Sequence, residues 1–343
     1  MEPFRPTIGI TMGDPCGIGA EIIVKALADP ALRRRARFVI FGLAEQLAYT
    51  ADALEIDLPI RREHHEDLSA LTRPLPDDVV LLDYDEFSQP AAMQRGPSRF
   101  GGKASMAFCK DAIAAAKTRL IDGIVTAPIS KTSWQEAGFK KYPGHTELLA
   151  EEFKVKHVAM MFVAPKLRVV LATIHQALFE IRNRFTIGCV FHPIDLADQA
   201  LRRWFDLPAP RIAVAGLNPH AGEEGRFGDE EARIITPAII LAAEAGINVS
   251  GPFPADTVFI KALAGEFDCV VAMYHDQGLI PIKLLAWREA VNLTLGLPIV
   301  RTSPDHGTAF DIAGKNKADS SSMMAAVNLA IDLVHKSAAV PSK

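Results

Sequence analysis

Short β-branched, apolar runs alternate with helical stretches along most of the chain, and this alternation constrains the fold most strongly. "TIGITMGD" is followed by a helix opening near Ile18, and "RFVIFG" leads into the helical "LAEQLAYTADAL". "KASMAFCKDAIAAAKTRL" reads as a helix and "DGIVTAP" as the strand after it. Further on, "LRVVLATIH", "RIAVAGLNPH" and "DCVVAMYHD" read as strands, "TPAIILAAEAGI" as a helix and "SSMMAAVNLAIDLVH" as a closing helix. Strands that alternate with helices at this spacing need crossover connections, so they predict an α/β protein with a largely parallel or mixed sheet. A chain of 343 residues suggests two domains of ordinary size.

In open α/β sheets, ligands gather beyond the carboxyl ends of the strands. The residues just past these strands are Asp14, Thr126, His175, His220, and His275 with Asp276; Arg301 and His306 follow "GLPIV" in the same way. A lone histidine at such a place is ordinarily a turn or capping residue. The chain has ten histidines, and three of them at three strand ends point to a shared site. Imidazole nitrogens suit zinc and its first-row neighbours, and three protein ligands leave coordination positions open for a substrate. Their spacing is weak evidence by itself, because only a fold can bring them together.

Anion-binding candidates are of two kinds. "GDPCGIGAEI" lacks the Walker lysine, and Ile22 stands where the dinucleotide fingerprint requires its third glycine. A tight glycine turn feeding a helix N-terminus remains, which can host an anion or simply turn the chain. In "YPGHTELLAEEF", Gly144, His145 and Thr146 precede an acidic, apolar helix, with Thr146 the expected N-cap. Free N–H groups, a hydroxyl and an imidazole would then face one anion. Lys131, Lys283 and Arg301 each close an apolar stretch, which suits either a phosphate or carboxylate partner or a salt bridge. "RRRAR" at 33–37 and "RREHHED" at 61–67 read as solvated helix or loop faces, with no role for His64 or His65.

Several classes are excluded at this stage. A formal net charge of −4 argues against a general nucleic-acid binder. No run approaches the roughly 20 apolar residues a bilayer-spanning helix needs. "MEPFRPTIGITMGDP" lacks a basic segment followed by an apolar one, so a cytoplasmic protein is expected. Cys16, Cys109, Cys189 and Cys269 are scattered without a CxxC pair, as reduced thiols would be.

"PGHTE", "GLNPHAGE", "GPFPADT", "AMYHDQG" and "DHGTA" occur in one order and spacing, and with them the chain resembles the 4-hydroxythreonine-4-phosphate dehydrogenase family of pyridoxal phosphate biosynthesis. The likeness runs from "GITMGDPCGIGAEI" to "VNLTLGLPIVRTSPDHGTAFDIAGKNKAD". It implies that His175, His220 and His275 bind one divalent metal (zinc, magnesium or cobalt). It also implies that His145, Thr146, Lys283, Asn292 and Arg301 contact a phosphorylated substrate. "HGTAFDIAGKNKAD" is similar to the loop with which isocitrate and isopropylmalate dehydrogenases hold the adenosine end of NAD, which implicates His306, Gly307, Thr308, Ala309 and Asp311. NAD and NADP stay open as cofactors. Asp256 and Asp276 are candidates for orienting the histidines.

The same resemblance implies two α/β domains with a central cleft, and a homodimer whose metal site draws on both subunits. The expected first domain comprises 1–130 with 286–343, and the second 131–285. The implied reaction is metal-dependent, NAD-linked oxidation of 4-phosphohydroxy-L-threonine at C3, with decarboxylation to 3-amino-2-oxopropyl phosphate. Departures leave the substrate open: Glu224 stands where the family usually has glycine, and "ATIHQALFEI" lacks the proline usual shortly after His175. Cys16 and Ala20 replace the usual alanine and proline, and Asp319 and Ser320 stand where isocitrate-type loops continue into Asn-Pro. A sister enzyme acting on erythronate or threonate 4-phosphate, or on an aromatic dihydrodiol carboxylate, is the alternative. A phosphotransacetylase-like acyl transferase and a non-catalytic metal or phosphate-ester sensor are the readings from other classes.

Overall fold

The computed structural model describes residues 4–66, 75, 77–87 and 95–339. Among them are twelve strands: β1 (Thr7–Thr11), β2 (Arg37–Gly42), β3 (Arg61–His64), β4 (Val79–Asp83), β5 (Gly123–Thr126), β6 (Ala159–Ala164), β7 (Leu167–Leu171), β8 (Ile212–Ala215), β9 (Val249–Phe253), β10 (Cys269–Ala272), β11 (Val291–Leu295) and β12 (Val300–Pro304). Two compact units are present, Met1–Lys154 with Leu297–Lys343, and Val155–Gly296.

In the first unit the strands run β3-β4-β2-β1-β5-β12, and every pairing among them is parallel. Ile8 and Ile10 of β1 lie level with Phe38 and Ile40 of β2. Each of β1, β4, β5 and β12 is buried along its whole length. That is why "TIGIT" and "VVLLD" read as continuous apolar runs rather than alternating ones: a parallel sheet is covered on both faces by its crossover helices. The edge strand β3 carries "RREH" and is exposed, and Arg62 donates to Asp83 Oδ2 at 2.9 Å. The segment is a strand rather than the helix or loop face expected because it pairs in parallel with β4, and its charge blocks further pairing at the edge. Asp67 of the same motif lies outside the described residues.

The second unit orders its strands β11-β6-β7-β10-β8-β9. The pairs β11–β6 and β6–β7 are antiparallel, whereas β7–β10, β10–β8 and β8–β9 are parallel. Its core gathers Phe162, Val169, Leu171, Val270, Leu279 and Ile282, each contributing roughly 1.5–3 kcal/mol on burial. The helix His275–Ala286 lies close on this sheet because Gly278 has no side chain. A Cβ there would sit 2.6 Å from Leu171 Cδ2 and 2.9 Å from Val169 Cγ1. That close seat sets the height of the helix, and with it His275, over the strand ends.

The units break later in the chain than the expected boundaries after 130 and 285. Residues 131–154 pack within the first unit because their polar groups are satisfied there. Trp134 is fully buried with Nε1 donating to Ser105 Oγ at 2.9 Å, and Ser133 Oγ donates to Asp14 Oδ2 at 2.7 Å. At the other boundary β11 belongs to the second unit, through its ladder with β6. Two local expectations also change. The helix His145–Glu152 starts two residues early, so Gly144 is its N-cap and Thr146 is inside the helix without a capping bond. Arg301 lies within β12 rather than beyond it.

Candidate active site

The three parallel neighbours β7, β10 and β8 end on the same side of the second unit, and each is followed by one of the three histidines. His175 lies beyond β7, His220 beyond β8, and His275 opens the helix after β10. The rings of His175 and His275 have centroids 5.7 Å apart. His275 Nδ1 is 2.6 Å from Asp276 Oδ1, which fixes the ring and leaves Nε2 free. A carboxylate behind one imidazole nitrogen is the usual support for a metal-binding histidine.

His220 is held differently. It begins a run in which His220, Ala221, Gly222, Glu223 and Glu224 all have left-handed backbone angles, φ being 54° at His220 and 56° at Glu224. Left-handed turns of L-residues cost roughly 1–2 kcal/mol per residue, so neighbouring groups must over-determine this one. The buried Glu231 does so. Its Oε1 accepts the N–H groups of Leu217 at 2.8 Å and Asn218 at 2.7 Å, and its Oε2 accepts Asn218 Nδ2 at 2.9 Å. The His220 ring rests 6.1 Å from that of Phe227.

Among the described residues no three His, Cys, Asp or Glu side chains are gathered closely enough to hold a metal. The structure therefore brings His175 and His275 together and places His220 on the adjoining strand end. The ligand type of the three histidines and the carboxylate behind His275 suit a divalent ion, but the described residues of one chain do not gather all three into a site. Asp276 is exposed beside His275, while Asp256 is exposed in the first turn of the helix Ala255–Leu263, after β9.

In the first unit, Arg301 is 2% exposed, and its Nη2 donates to Thr126 Oγ1 at 2.6 Å. Burial pushes its pKa down to about 10, against the opposing pull of Cys109 and Glu147, so it stays a cation at neutral pH. His145 has a buried Nε2 with no hydrogen-bond partner among the described residues and an edge-on contact with Trp134 at 5.6 Å. Burial, and then the charge of Arg301, hold its pKa well below 6.5, so the imidazole is neutral. Thr146 is buried next to it. A polar atom left unmatched in the interior costs about 1–3 kcal/mol, and a ligand that bonds it recovers that cost. Cation, neutral N–H and hydroxyl together suit an anionic oxygen such as a phosphate's.

In the second unit, Lys283 is half-buried with Nζ 5.0 Å from the Trp287 ring centre. Asn292 is buried on β11, and its Oδ1 has no hydrogen-bond partner among the described residues. Lys131 is exposed at the start of its helix.

His306, Gly307, Thr308, Ala309 and Asp311 follow β12 in one loop. His306 Nδ1 meets Gly307 O at 3.0 Å, and its Nε2 is buried without a partner among the described residues. Ile18 N donates to Thr308 O at 3.1 Å, an approach open only because residue 17 is glycine; a Cβ there would lie 2.8 Å from that oxygen. The glycine turn thus packs against this loop. Glu21 Oε1 accepts Ala318 N at 2.8 Å and ties down the loop's far arm. A cavity of about 360 Å³ opens beside it, walled by Gly17, Ala20, Gln46, Tyr49, Gly314 and Asn316.

Glu231 and Gln277 were not legible as site residues. Gln277 lies two residues past His275 in "YHDQG", a proximity that could have pointed to it; Glu231 carries no such signal, since its role depends on a turn formed far from it in the sequence.

A family model for the pyridoxal phosphate biosynthetic protein PdxA matches residues 34–330. The chain is 44% identical over 330 residues to a 4-hydroxythreonine-4-phosphate dehydrogenase of Desulforapulum autotrophicum, covering 96% of each. It is also 44% identical over 328 residues to the D-threonate 4-phosphate dehydrogenase of Salmonella typhimurium, covering 95% of this chain and 98% of the relative. The crystal structure of a 4-hydroxythreonine-4-phosphate dehydrogenase from Klebsiella pneumoniae superposes with a TM-score of 0.85 at 40% identity, covering 97% of this chain and 99% of that one.

Proposed function

The chain belongs to the PdxA family and is a dehydrogenase, and from that premise we propose that it oxidises 4-phosphohydroxy-L-threonine at C3 with NAD, with loss of carbon dioxide to give 3-amino-2-oxopropyl phosphate. The observation that carries this reading is the buried Arg301 cation beside the unmatched Nε2 of His145, a site made for a phosphate oxygen.

In this reading Arg301 and His145 anchor the phosphate, with Thr146, Lys283 and Asn292 as further contacts. The neutral imidazole donates its Nε2–H, and the guanidinium supplies the charge. Anchoring the non-reacting end fixes where C3 sits, which is the larger part of what a dehydrogenase scaffold contributes. His175, His220 and His275 would hold a divalent ion, which supplies Lewis acidity at the reacting alcohol. Asp276 keeps the His275 ring in the tautomer that leaves Nε2 available. NAD, when bound, would supply the hydride acceptor for C3, and the loop His306–Asp311 with its adjoining cavity is the proposed seat of its adenosine end. The resulting β-keto acid is a compound that decarboxylates readily.

A homodimer is part of the same reading. Ile280, Leu284 and Trp287 stand at helical i, i+4, i+7 spacing and are all exposed, Leu284 at 82%. A large apolar stripe of this kind marks a protein–protein contact, here a second copy of the chain.

Among the described residues no helix is long and apolar enough to cross a membrane. Membership in a dehydrogenase family replaces the acyl-transferase alternative. D-threonate 4-phosphate is the second substrate reading, because a relative of that name matches at the same 44% identity. The test is NADH formation by the purified protein with each phosphorylated substrate, before and after a chelator. Chelator-sensitive turnover fastest on the amino acid supports the first reading. Turnover only on the sugar-acid phosphate replaces it with the second.

A further inference from the structure

The cavity beside the loop after β12 lies wholly within the first unit, between the turn at Gly17, the helix Ala44–Ala53 and the arm carrying Gly314 and Asn316. Among the described residues its charged walls are Glu21, Glu45 and Arg95. Glu21 is 3% exposed, and its charge is already balanced. Lys25 Nζ lies 2.7 Å from its Oε1, the oxygen that also accepts Ala318 N. Its other oxygen, Oε2, is closed off from solvent, so Glu21 offers the cavity no free acceptor. Glu45 is exposed, where water and salt screen its charge. Asp311 of the neighbouring loop is exposed as well and lies off the wall.

Arg95 differs from all three. It is half-buried, and its guanidinium lies flat against the backbone of Gly314. A Cβ at residue 314 would sit 3.1 Å from its Cζ, 3.3 Å from its Nε and closer still to its Nη2. The guanidinium thus occupies the place that a side chain at 314 would take. The wall charge that is neither balanced nor fully in water is therefore positive. A ribose with a free 2′-hydroxyl calls for a carboxylate acceptor, whereas a 2′-phosphate calls for a cation. The guanidinium fork can donate to two phosphate oxygens at once.

We propose that Arg95 is a specificity-determining residue for the dinucleotide: it receives the 2′-phosphate of NADP, so that the protein takes NADP as well as NAD. This rests on the reading of the cavity as the seat of the adenosine end. A dianion placed there meets the balanced Glu21 and the screened Glu45, and no unscreened negative charge.

The experiment is calorimetric titration of the full-length protein with adenosine 2′,5′-bisphosphate and with adenosine 5′-monophosphate, which differ only in the 2′-phosphate. KM values for NADP and NAD are recorded in parallel. Wild type is expected to bind the bisphosphate at least as tightly as the monophosphate. Arg95→Met removes the charge and is expected to weaken the bisphosphate about 10-fold or more, as loss of a hydrogen bond to a charged group does. Monophosphate affinity and KM for NAD stay at wild type, while KM for NADP rises. Arg95→Lys keeps the charge without the fork and should fall between; it decides by the same readouts should the methionine variant fail to fold. Equal weakening of both nucleotides would put Arg95 on a part they share, and the proposal falls. It falls too if wild type binds the monophosphate and rejects the bisphosphate. Ala53→Trp narrows the same cavity and should weaken both nucleotides. If wild type binds neither, or this variant binds both as wild type does, the adenosine end sits elsewhere and the seat fails together with the role of Arg95.

Discussion

The imidazoles of His175 and His275, which close two neighbouring parallel strands, lie 5.7 Å apart between ring centres. The β7–β10 pairing sets the two strand ends side by side. Replacing His275 by alanine is expected to remove chelator-sensitive NADH formation by about two orders of magnitude or more, since a lost ligand costs at least as much as a lost supporting group. Steady-state rates of protein reconstituted with Co²⁺ check this. Wild-type rates in the variant would remove His275 from the site.

Arg301 should act on the phosphate and not on the dinucleotide. Truncating one member of a buried, hydrogen-bonded charge pair costs about 2–5 kcal/mol. Arg301→Met is thus expected to raise KM for the phosphorylated substrate at least about 30-fold, while KM for NAD stays near wild type. Equal increases in both constants would instead indicate a general loss of structure.

His145 gives a pH signature. Its folded pKa is held well below the ordinary 6.5 by burial and by Arg301. Below pH 6.5 the unfolded chain therefore binds a proton that the folded one refuses, and stability falls as the pH drops. Urea denaturation at pH 7.5 and pH 5 should show a loss that His145→Asn reduces. An identical loss in the variant would mean that other groups carry the acid sensitivity.

Glu231 holds the left-handed turn at His220 by accepting the Leu217 and Asn218 N–H groups. Glu231→Ala leaves those donors buried without an acceptor and should cost about 2–4 kcal/mol, with Glu231→Gln costing less than half of that. Chemical denaturation midpoints measure both. Equal effects would show that the negative charge, rather than the acceptor, matters.

The exposed stripe of Ile280, Leu284 and Trp287 makes a prediction about assembly. Leu284→Asp combined with Trp287→Asp should convert a dimer into a monomer in size-exclusion chromatography with light scattering. A wild-type monomer, or a variant that stays dimeric, would place the contact elsewhere or remove it.

Much of the fold was legible because its physics is local. Runs such as "RFVIFG" and "CVVA" can only be buried strands, and the helices between them force parallel crossovers. The location of the histidines past strand ends was legible for the same reason. Where reading failed, a contact between distant segments had decided the outcome. Residues 131–154 join the first unit because Trp134 and Ser133 find their hydrogen-bond partners there. Thr146 is not a cap because Gly144, with its extended backbone, takes that position.

The sequence alone therefore determined the strands β1, β2, β5, β7, β8 and β10 and the histidines that follow three of them, since these follow from periodicity and local backbone preference. Strand order was left to the tertiary structure: β10 lies between β7 and β8, and only that arrangement makes neighbours of the three strand ends that the histidines follow. It also decided the electrostatic state of the site. Arg301 and His145 have shifted proton affinities because the packed interior around them has replaced water, a property of the environment that residue identity does not carry.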